Sequence, residues 1–208
     1  MRSKTETLDH GTTLLLQARF QALVLPHLDR MVAFANRRLG NRADAEDVVQ
    51  DAFVRAWLAF TDLRDEGCVR SWLYRIVRSV LSDFRARRGH REILAPMLHL
   101  EDGAEDAAVS DEPGPFERLA EAISSAQIHE LLHMIPESFS VAVELHDLEG
   151  LRYHEIAEIV GVPLGTVMSR IYRGRKLLAS LISAHSSRWD LPKSWAGGER
   201  RKVARSQS

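Results

Sequence analysis

The amino-acid sequence predicts an all-α protein with two small helical domains joined by an acidic, flexible linker. Apolar residues recur with helical spacing through most of the chain, but not between residues 89 and 116. That segment instead contains three prolines and a dense acidic run, a composition that buries too little apolar surface to form a core. With 208 residues, the chain is long enough for a small core on either side of such a linker.

Charge is strongly segregated along the chain, although the net charge is only −1. Residues 1–95 hold 16 Lys or Arg against 12 Asp or Glu, a net charge of +4. Residues 96–150 hold 1 basic residue against 13 acidic ones, and residues 151–208 hold 11 basic against 4 acidic. Two basic segments separated by an acidic one are typical of a protein with two polyanion-binding surfaces, although solvated charged faces give the same counts.

The composition argues against a membrane or secreted protein. No apolar run approaches the roughly 20 residues that a membrane-spanning helix requires. The early stretch from Leu14 to Leu25 is interrupted by Gln17, Arg19 and Gln21, so it lacks the apolar core of a signal peptide. Cys68 is the only cysteine, so no disulfide can form within the chain, as suits a reducing compartment. We therefore expect a cytoplasmic protein without membrane insertion.

The first domain is predicted to begin with two helices. One extends from about Thr13 to Leu39, is kinked or divided at Pro26, and ends before Gly40 and Asn41. The next begins near Asp44 and has one apolar face at helical spacing, composed of Ala45, Val48, Val49, Ala52, Phe53, Ala56, Trp57 and Phe60. Its opposite face is polar and carries Glu46, Asp47, Gln50, Asp51 and Arg55.

A short loop and a third helix complete this domain. The loop covers Thr61 to Cys68 and contains the turn residues Asp62, Asp65 and Gly67. The helix extends from about Val69 to Arg88. Its apolar face holds Trp72, Leu73, Ile76, Val77, Val80, Leu81 and Phe84, and its polar stripe holds Arg75, Arg78, Ser82 and Arg85.

The second domain is predicted to begin with helices near Phe116 that continue to Pro136 and then to Gly150. Their apolar residues are Ile123, Ile128, Leu131, Leu132, Ile135, Val141, Val143, Leu145 and Leu148. After about His185 the chain is basic and polar, which predicts a flexible tail.

The most informative stretch has the order of a helix-turn-helix. Tyr153 to Val160 predicts a short helix, and Gly161 to Pro163 predict a turn. A longer basic helix then begins at Leu164 or Gly165, with Val167, Ile171, Leu178 and Leu181 inward and Thr166, Ser169, Arg170, Arg173 and Lys176 outward. Such a second helix can enter the DNA major groove, although the same motif also occurs as plain packing.

The outward cations of that helix suggest distinct roles in DNA binding. Arg173 is the candidate for bidentate recognition of a guanine. Arg170, Arg175 and Lys176 are candidates for phosphate neutralisation.

Two stretches resemble one known family. AEDVVQDAFVRAW, from Ala45 to Trp57, is similar to region 2 of the extracytoplasmic-function sigma factors of the sigma-70 family. YHEIAEIVGVPLGTVMSRIYRGRKLL, which begins at Tyr153, is similar to their region 4. The resemblance extends from Phe20 to Leu181. It implies region 2 at residues 13–90, a linker at 91–116, region 4 at 117–185 and a basic tail at 186–208.

The resemblance implies a function for each part of the chain. Region 2 would bind core RNA polymerase and recognise and melt the −10 element of promoter DNA, and region 4 would recognise the −35 element as duplex. The acidic linker would thread toward the RNA exit path, where it is displaced by transcript. The resemblance also implies a control partner, an anti-sigma factor that covers the polymerase-binding faces of both domains. A sigma factor is not an enzyme and holds no cofactor or metal.

The resemblance also assigns residues. Polymerase binding falls to Asp47, Gln50, Asp51 and Arg55. Recognition of the −10 element falls to Asp62, Arg64, Arg70, Trp72, Tyr74, Arg75, Arg78, Ser82 and Arg85, where aromatic rings can stack on unpaired bases and cations can attract the backbone. Recognition of the −35 element falls to Arg152, Thr166, Met168, Ser169, Arg170, Tyr172, Arg173, Arg175 and Lys176.

Some of these positions leave alternatives open. Trp72 also fits the apolar stripe of its helix, which favours a core position over a stacking platform. Ser79 and Ser82 stand where the family often has Asn, and Met168 stands where many relatives have a basic residue. These departures leave open which −10 and −35 bases are preferred, but they do not change the class of protein.

Two other functions have features of the sequence in their favour. His129, Glu130 and His133 spell the H-E-x-x-H pattern of a zinc metalloprotease, but Pro136 follows closely and the third histidine of the extended motif is absent, with Phe139 in its place. A helix-turn-helix transcription regulator that acts without polymerase would explain the C-terminal motif but not the match at Ala45 to Trp57. Cys68 could act as a redox switch, although a lone cysteine is usually inert.

Overall fold

The structure, a computed structural model, describes residues 10–88 and 125–184. The predicted linker (91–116), the tail (186–208) and the start of the second domain lie outside the described residues. Within the described ranges the secondary structure is helical and contains no strand, which confirms the predicted all-α class. The chain divides into two compact units: one contains residues 10–88 with 154–162, and the other contains 125–153 with 163–184.

The long first helix is divided where the sequence predicted a break. Helix α1 (His10–Val24) is followed by a 3-10 turn (Leu25–His27) that contains Pro26, and helix α2 (Leu28–Leu39) continues the chain. A proline lacks the N–H that an α-helix needs at an interior position, so the division falls there. Gly40 ends α2 in the left-handed conformation, with φ of 68°, and its N–H donates to the carbonyl of Asn36.

Helix α3 (Arg42–Leu58) begins at a side-chain cap. The Asn41 amide oxygen accepts hydrogen bonds from the N–H groups of Ala43 and Asp44. These two donors lie in the first turn of the helix, where no backbone carbonyl of the helix can accept from them. The inner face contains the predicted residues, and Ala45, Val48, Val49, Ala52 and Ala56 are all buried. Beyond them, the Phe20 ring of α1 packs edge-on against Trp57 and Phe60, with centroid distances of 5.2 and 5.1 Å.

The predicted loop contains two 3-10 turns, Phe60–Asp62 and Glu66–Cys68. The Asp65 carboxylate accepts the N–H of Gly67 at 2.8 Å, which orders the second turn before helix α4 (Val69–Arg87) begins. The inner face of α4 contains Val69, Leu73, Tyr74, Val77, Val80 and Leu81, all buried. Helices α2, α3 and α4 therefore enclose one core in the first unit.

The second unit contains more short elements than the sequence predicted. Helix α5 (Ser125–His133) precedes Pro136, helix α6 (Glu137–Val143) follows it, and α6 continues into a π-helical turn (Glu144–Leu148). Helix α8 (Leu164–Ala184) belongs to this unit, whereas all but the first residue of helix α7 (Tyr153–Val160) belongs to the first unit. Both helices have the predicted bounds of the helix-turn-helix. The core of this unit includes Ile128, Leu131, Leu132, Ile135, Val143, Leu178 and Ile182.

Gly174 allows α6 and α8 to approach closely. A Cβ atom at this position would lie 2.6 Å from Cγ2 of Val143 and 3.3 Å from the carbonyl oxygen of Phe139. Because any side chain would clash with α6, the absence of one at residue 174 determines how closely the two helices pack.

Candidate nucleic-acid interfaces

The turn before α8 has the local geometry that the sequence predicted. Gly161 has a φ of +69° and its N–H donates to the carbonyl of Ala157 at 2.9 Å, which ends α7 in the left-handed conformation. The N–H of Thr166 donates to the carbonyl of Pro163 at 3.0 Å, so α8 begins at once. Val167, Ile171 and Leu178 are buried, as predicted, and Leu181 is half-buried.

The remaining predicted −35 residues of α8 divide into half-buried and exposed groups. Thr166, Met168, Ser169, Arg170 and Arg173 are half-buried, whereas Tyr172 and Lys176 are exposed, as is Arg152 just before α7. The Ser169 hydroxyl donates to the carbonyl of Thr166 at 3.0 Å, which leaves its oxygen able to accept. Burial lowers the pKa of the Arg170 guanidinium below its ordinary value.

Arg175 lies elsewhere than the sequence predicted. Its Nε donates to Oδ2 of Asp147 at 3.0 Å, and its Nη2 donates to Oδ1 of the same carboxylate. The Asp147 side chain is 0% exposed and that of Arg175 is 16% exposed. The assignment of Arg175 to phosphate neutralisation is therefore corrected: its guanidinium is held by a buried carboxylate of the π-helical turn.

Sequence reasoning missed the polar cluster around that ion pair. The Nδ1 of His146 lies 2.8 Å from Oδ1 of Asp147 and 3.1 Å from Nη2 of Arg175. The His146 ring stacks on Tyr153, with a centroid distance of 4.7 Å and an interplanar angle of 17°. Burial alone would raise the pKa of Asp147, but hydrogen bonds with His146 and Arg175, together with their charges, lower it below its ordinary value. The signal in the sequence was an acidic residue within an apolar run.

The polar face of α3 is exposed in the first unit. Asp47 and Gln50 are exposed, and so are the two other predicted polymerase-binding residues, which already form ion pairs with α4. Arg55 lies 2.8 Å from Asp83, and Asp51 lies 3.8 Å from Arg87. Exposed pairs of this kind contribute about 1 kcal/mol or less, so a binding partner can replace them readily.

Two exposed apolar residues extend that face and were not predicted. Val54 is 59% exposed and Leu58 is 75% exposed, at positions 3 and 7 residues after Asp51 on the same helix. The face therefore has an acidic N-terminal half and an apolar C-terminal half. The sequence signal was the apolar type of these residues outside the buried stripe.

The loop and the start of α4, to which the resemblance assigns −10 recognition, line a concave surface. Asp62, Arg64, Cys68, Trp72 and Arg75 line one pocket together with other residues of the same unit. Trp72 is half-buried and lines this pocket. The arrangement brings one aromatic ring and two guanidinium groups to a concave surface, which suits an unpaired base with its backbone.

Tyr74 is the second residue whose predicted role is corrected. It is 0% exposed, and its ring packs edge-on against Phe34 at a centroid distance of 5.2 Å. Residues 74, 77 and 81 share a face of α4, so the ring belongs to the core and cannot stack on a base. Ser79 and Ser82 are exposed on the other side of the helix.

Three arginines assigned to the −10 element occupy defined positions around α4. Arg70 is half-buried beside His27, whose pKa is lowered first by burial and then by the positive charges of Arg70 and Arg30. The Nη1 of Arg78 donates to the backbone carbonyl of Ile159, and Nη2 of Arg85 donates to that of Arg38, both at 3.0 Å. These contacts restrain Arg78 and Arg85 at the protein surface.

The surroundings of Cys68 oppose reactivity. Its Sγ donates to Oδ2 of Asp65 at 3.4 Å, and this hydrogen bond and the negative charge of Asp65 raise the pKa of the thiol. A thiol with a raised pKa is protonated at neutral pH and is a weak nucleophile.

The H-E-x-x-H pattern places two histidines side by side. The rings of His129 and His133 have a centroid distance of 4.2 Å at the end of α5. Across residues 10–88 and 125–184, no group of three or more His, Cys, Asp or Glu side chains is arranged to hold a metal ion. In the same ranges, none of the helices has the length and apolar character needed to cross a membrane.

Comparison with known families matches both halves of the chain. Residues 23–91 match the model of Sigma-70 region 2, and residues 125–178 match that of Sigma-70, region 4. The RNA polymerase sigma-H factor of Pseudomonas aeruginosa is 30% identical over 76% of this chain and 83% of its own length. The ECF RNA polymerase sigma-E factor of Haemophilus influenzae is 32% identical over 81% of this chain and 86% of its own length.

A further relative is longer than this chain. The ECF RNA polymerase sigma factor SigE of Mycolicibacterium smegmatis is 36% identical over 79% of this chain, which spans only 62% of that protein. Two solved complexes have a similar fold. One contains the sigma factor RpoE with the anti-sigma factor NepR from Bartonella quintana (TM-score 0.60, 25% identity, 79% of this chain and 96% of that one). The other contains CnrH with the cytosolic domain of CnrY (TM-score 0.56, 28% identity, 81% and 90%).

Proposed function

Because the chain belongs to the extracytoplasmic-function sigma factors of the sigma-70 family, we propose that it binds core RNA polymerase and directs it to promoters. The observation that carries the proposal is the presence of both halves in one chain and in family order: a region 2 match, then a region 4 match that contains the helix-turn-helix. A regulator that acts without polymerase needs only the second half. RNA synthesis belongs to the polymerase, so the chain itself is not an enzyme, and it acts in the cytoplasm where polymerase works.

Polymerase binding is assigned to the exposed face of α3. Its acidic half, with Asp47 and Asp51, suits a basic partner surface, and Gln50 adds a neutral hydrogen-bonding group. Val54 and Leu58 suit the apolar side of a partner helix. The ion pairs of Asp51 and Arg55 with α4 are exposed and weak, so they can exchange for contacts with polymerase.

Promoter recognition is divided between the two units. The pocket beside Trp72 is proposed to hold an unpaired −10 base, with Arg64 and Arg75 attracting the single strand. Helix α8 is proposed to read the −35 duplex in the major groove, with Arg173 on a guanine and Lys176 on a phosphate. The domain organisation that we propose is region 2 at residues 13–90, a connector at 91–116 and region 4 at 117–185.

Run-off transcription from a promoter library with purified core polymerase tests the proposal. Wild type is expected to start transcripts from a defined subset of promoters. Arg173→Ala is expected to relax selection at one −35 base pair, at a cost of about 1–3 kcal/mol, whereas the matched variant Lys176→Ala weakens all promoters about equally. A chain that neither binds core nor starts any transcript contradicts the proposal, and sequence-specific duplex binding without core supports the regulator instead.

Two further experiments address polymerase binding and the protease alternative separately. Asp47→Arg on the exposed face of α3 is expected to abolish binding to core, whereas Arg42→Ala, an exposed change at the start of the same helix, is not. Zinc analysis of the purified chain addresses the protease alternative: stoichiometric zinc that is lost in His133→Ala would support a metal enzyme.

We also propose that an anti-sigma protein restrains the chain. The solved sigma factor that is similar in fold was crystallised with such a partner, and the exposed face of α3 offers a surface for one. A partner of this kind must compete with core, because both would use that face. Such a partner is expected to suppress run-off transcription by the holoenzyme that contains this chain. Transcription by a holoenzyme that contains a different sigma factor is expected to stay unchanged.

A further inference from the structure

The ion pair between Asp147 and Arg175 occupies the side of α8 that faces the π-helical turn. Both partners lie in the second unit, 28 residues apart in the chain. The carboxylate is 0% exposed and makes two contacts with one guanidinium, through Nε at 3.0 Å and through Nη2. Bidentate pairs of this kind have a defined geometry as well as a favourable energy. The pair therefore fixes the middle of α8 against the π-helical turn.

This geometry removes Arg175 from the phosphate contacts that its charge suggests. A guanidinium binds a phosphate best through a pair of parallel N–H groups, and the Nε and Nη2 pair of Arg175 is already used. Turning the side chain to DNA would leave the Asp147 carboxylate buried without its cation, which is costly. Lys176, the next residue, is exposed and has no such restraint.

We infer that Asp147 and Arg175 are positioning residues for −35 recognition. Their pair fixes the orientation in which α8 presents its reading residues, Thr166, Ser169 and Arg173, to the duplex. His146, whose ring stacks on Tyr153, contacts the same Asp147 oxygen as Arg175 and so adds a third member to the cluster at the π-helical turn. The inference rests on the proposed function, and it adds which charged residue of α8 acts through the fold instead of through DNA.

Salt dependence of binding distinguishes the two roles of Arg175. Holoenzyme formed from core polymerase and the full chain is first used to select a −35 duplex from a random library, and its affinity is then measured between about 50 and 200 mM salt. Each phosphate contact contributes about −0.9 to the slope of log K against log salt. The double variant Asp147→Asn/Arg175→Gln is expected to keep the wild-type slope. The matched control Lys176→Gln is expected to lose about 0.9 of it.

Discrimination between duplexes tests the positioning role itself. Asp147→Asn removes the charge that holds Arg175, and we expect it to lower the ratio of affinities for the selected and a scrambled duplex about tenfold, mostly through weaker binding of the selected one. Asp147→Glu keeps a carboxylate and is expected to restore most of the ratio. Circular dichroism checks that each variant is folded. If Asp147→Asn is unfolded, the double variant, which leaves no lone buried charge, is used for both measurements.

The outcomes are distinct from those that test the proposed function. A slope that falls by about 0.9 in the double variant would show that Arg175 neutralises a phosphate and would overturn the inference. Unchanged discrimination in a folded Asp147→Asn variant would overturn the positioning role. A wild-type holoenzyme that selects no duplex would contradict the proposed function, and this inference with it.

Discussion

Replacement of Gly174 by alanine tests the close approach of α6 and α8. The new Cβ would lie 2.6 Å from Cγ2 of Val143, well inside the roughly 3.5–4.0 Å at which carbon atoms pack favourably. Overpacking of this kind costs about 1–3 kcal/mol. The better helix propensity of alanine offsets about 1 kcal/mol of that cost. Gly174→Ala is therefore expected to destabilise the second unit by about 0–2 kcal/mol.

Gly165→Ala is the matched control for that change. Gly165 lies in the same helix, but an added Cβ there would have no atom within 4 Å, so only the gain in helix propensity remains. The two variants are expected to differ by the overpacking cost of about 1–3 kcal/mol, which corresponds to a roughly 5- to 150-fold difference in unfolding equilibrium. Amide hydrogen exchange of the full chain measures it in peptides from α6 and α8, and peptides from α2 to α4 serve as an internal reference.

Equal protection in Gly174→Ala and Gly165→Ala would refute the packing argument. A double variant adds a second check, because Val143→Ala removes the methyl group that the new Cβ meets. Combined with Gly174→Ala, it is expected to give a smaller loss than the sum of the two single changes, by about 0.5 kcal/mol or more. Strict additivity would show that the clash is relieved elsewhere.

Three further results are expected. Tyr74→Phe keeps the ring, so it should leave promoter melting nearly unchanged and cost the first unit only about 1 kcal/mol for the loss of the buried hydroxyl. Tyr74→Ala should cost about 3–5 kcal/mol in urea unfolding. Melting that is lost in a folded Tyr74→Phe variant would contradict the core assignment. Asp65→Asn should accelerate alkylation of Cys68 at neutral pH, because removing the carboxylate lowers the thiol pKa and increases the thiolate; an unchanged rate would refute that cause. Because the pKa of Asp147 is lowered, the carboxylate stabilises the second unit fully above the ordinary value of 3.8, and this stabilisation is lost as the pH falls below that value. The stability of Asp147→Asn should therefore decrease less steeply in acid than that of wild type.

The helix bounds could be predicted because their signals are local. Asn41 caps α3, Gly40 ends α2, and Gly161 with Pro163 marks the turn before α8, and each acts within four residues of its own position. The buried face of α3 follows from helical spacing in the same way. The buried face of α4 was predicted only in part, because Trp72 and Ile76 are half-buried and Tyr74 is in the core. The π-helical turn at Glu144–Leu148 was not predicted, because its extra residue per turn has no local sequence signature.

The candidate site was predicted less completely than the fold. Tyr74 carries a hydroxyl and stands beside predicted DNA-binding residues, yet helical spacing with Val77 and Leu81 places it in the core. The apolar half of the α3 face, with Val54 and Leu58, lay outside the buried stripe and was not assigned a role. Residue type alone therefore assigned one core residue to DNA and overlooked two surface residues.

The sequence by itself determined the class of protein, the order of its helices and the buried face of α3. These properties depend on residues that are close together in the chain, where spacing and caps act directly. Only the tertiary structure decided which of the basic residues on α8 are available to DNA. Arg175 and Lys176 are neighbours with the same charge, but Asp147, 28 residues from Arg175, binds only the former. Such a pair forms when two distant elements pack together, because the loss of water around both charges is compensated only where their side chains meet.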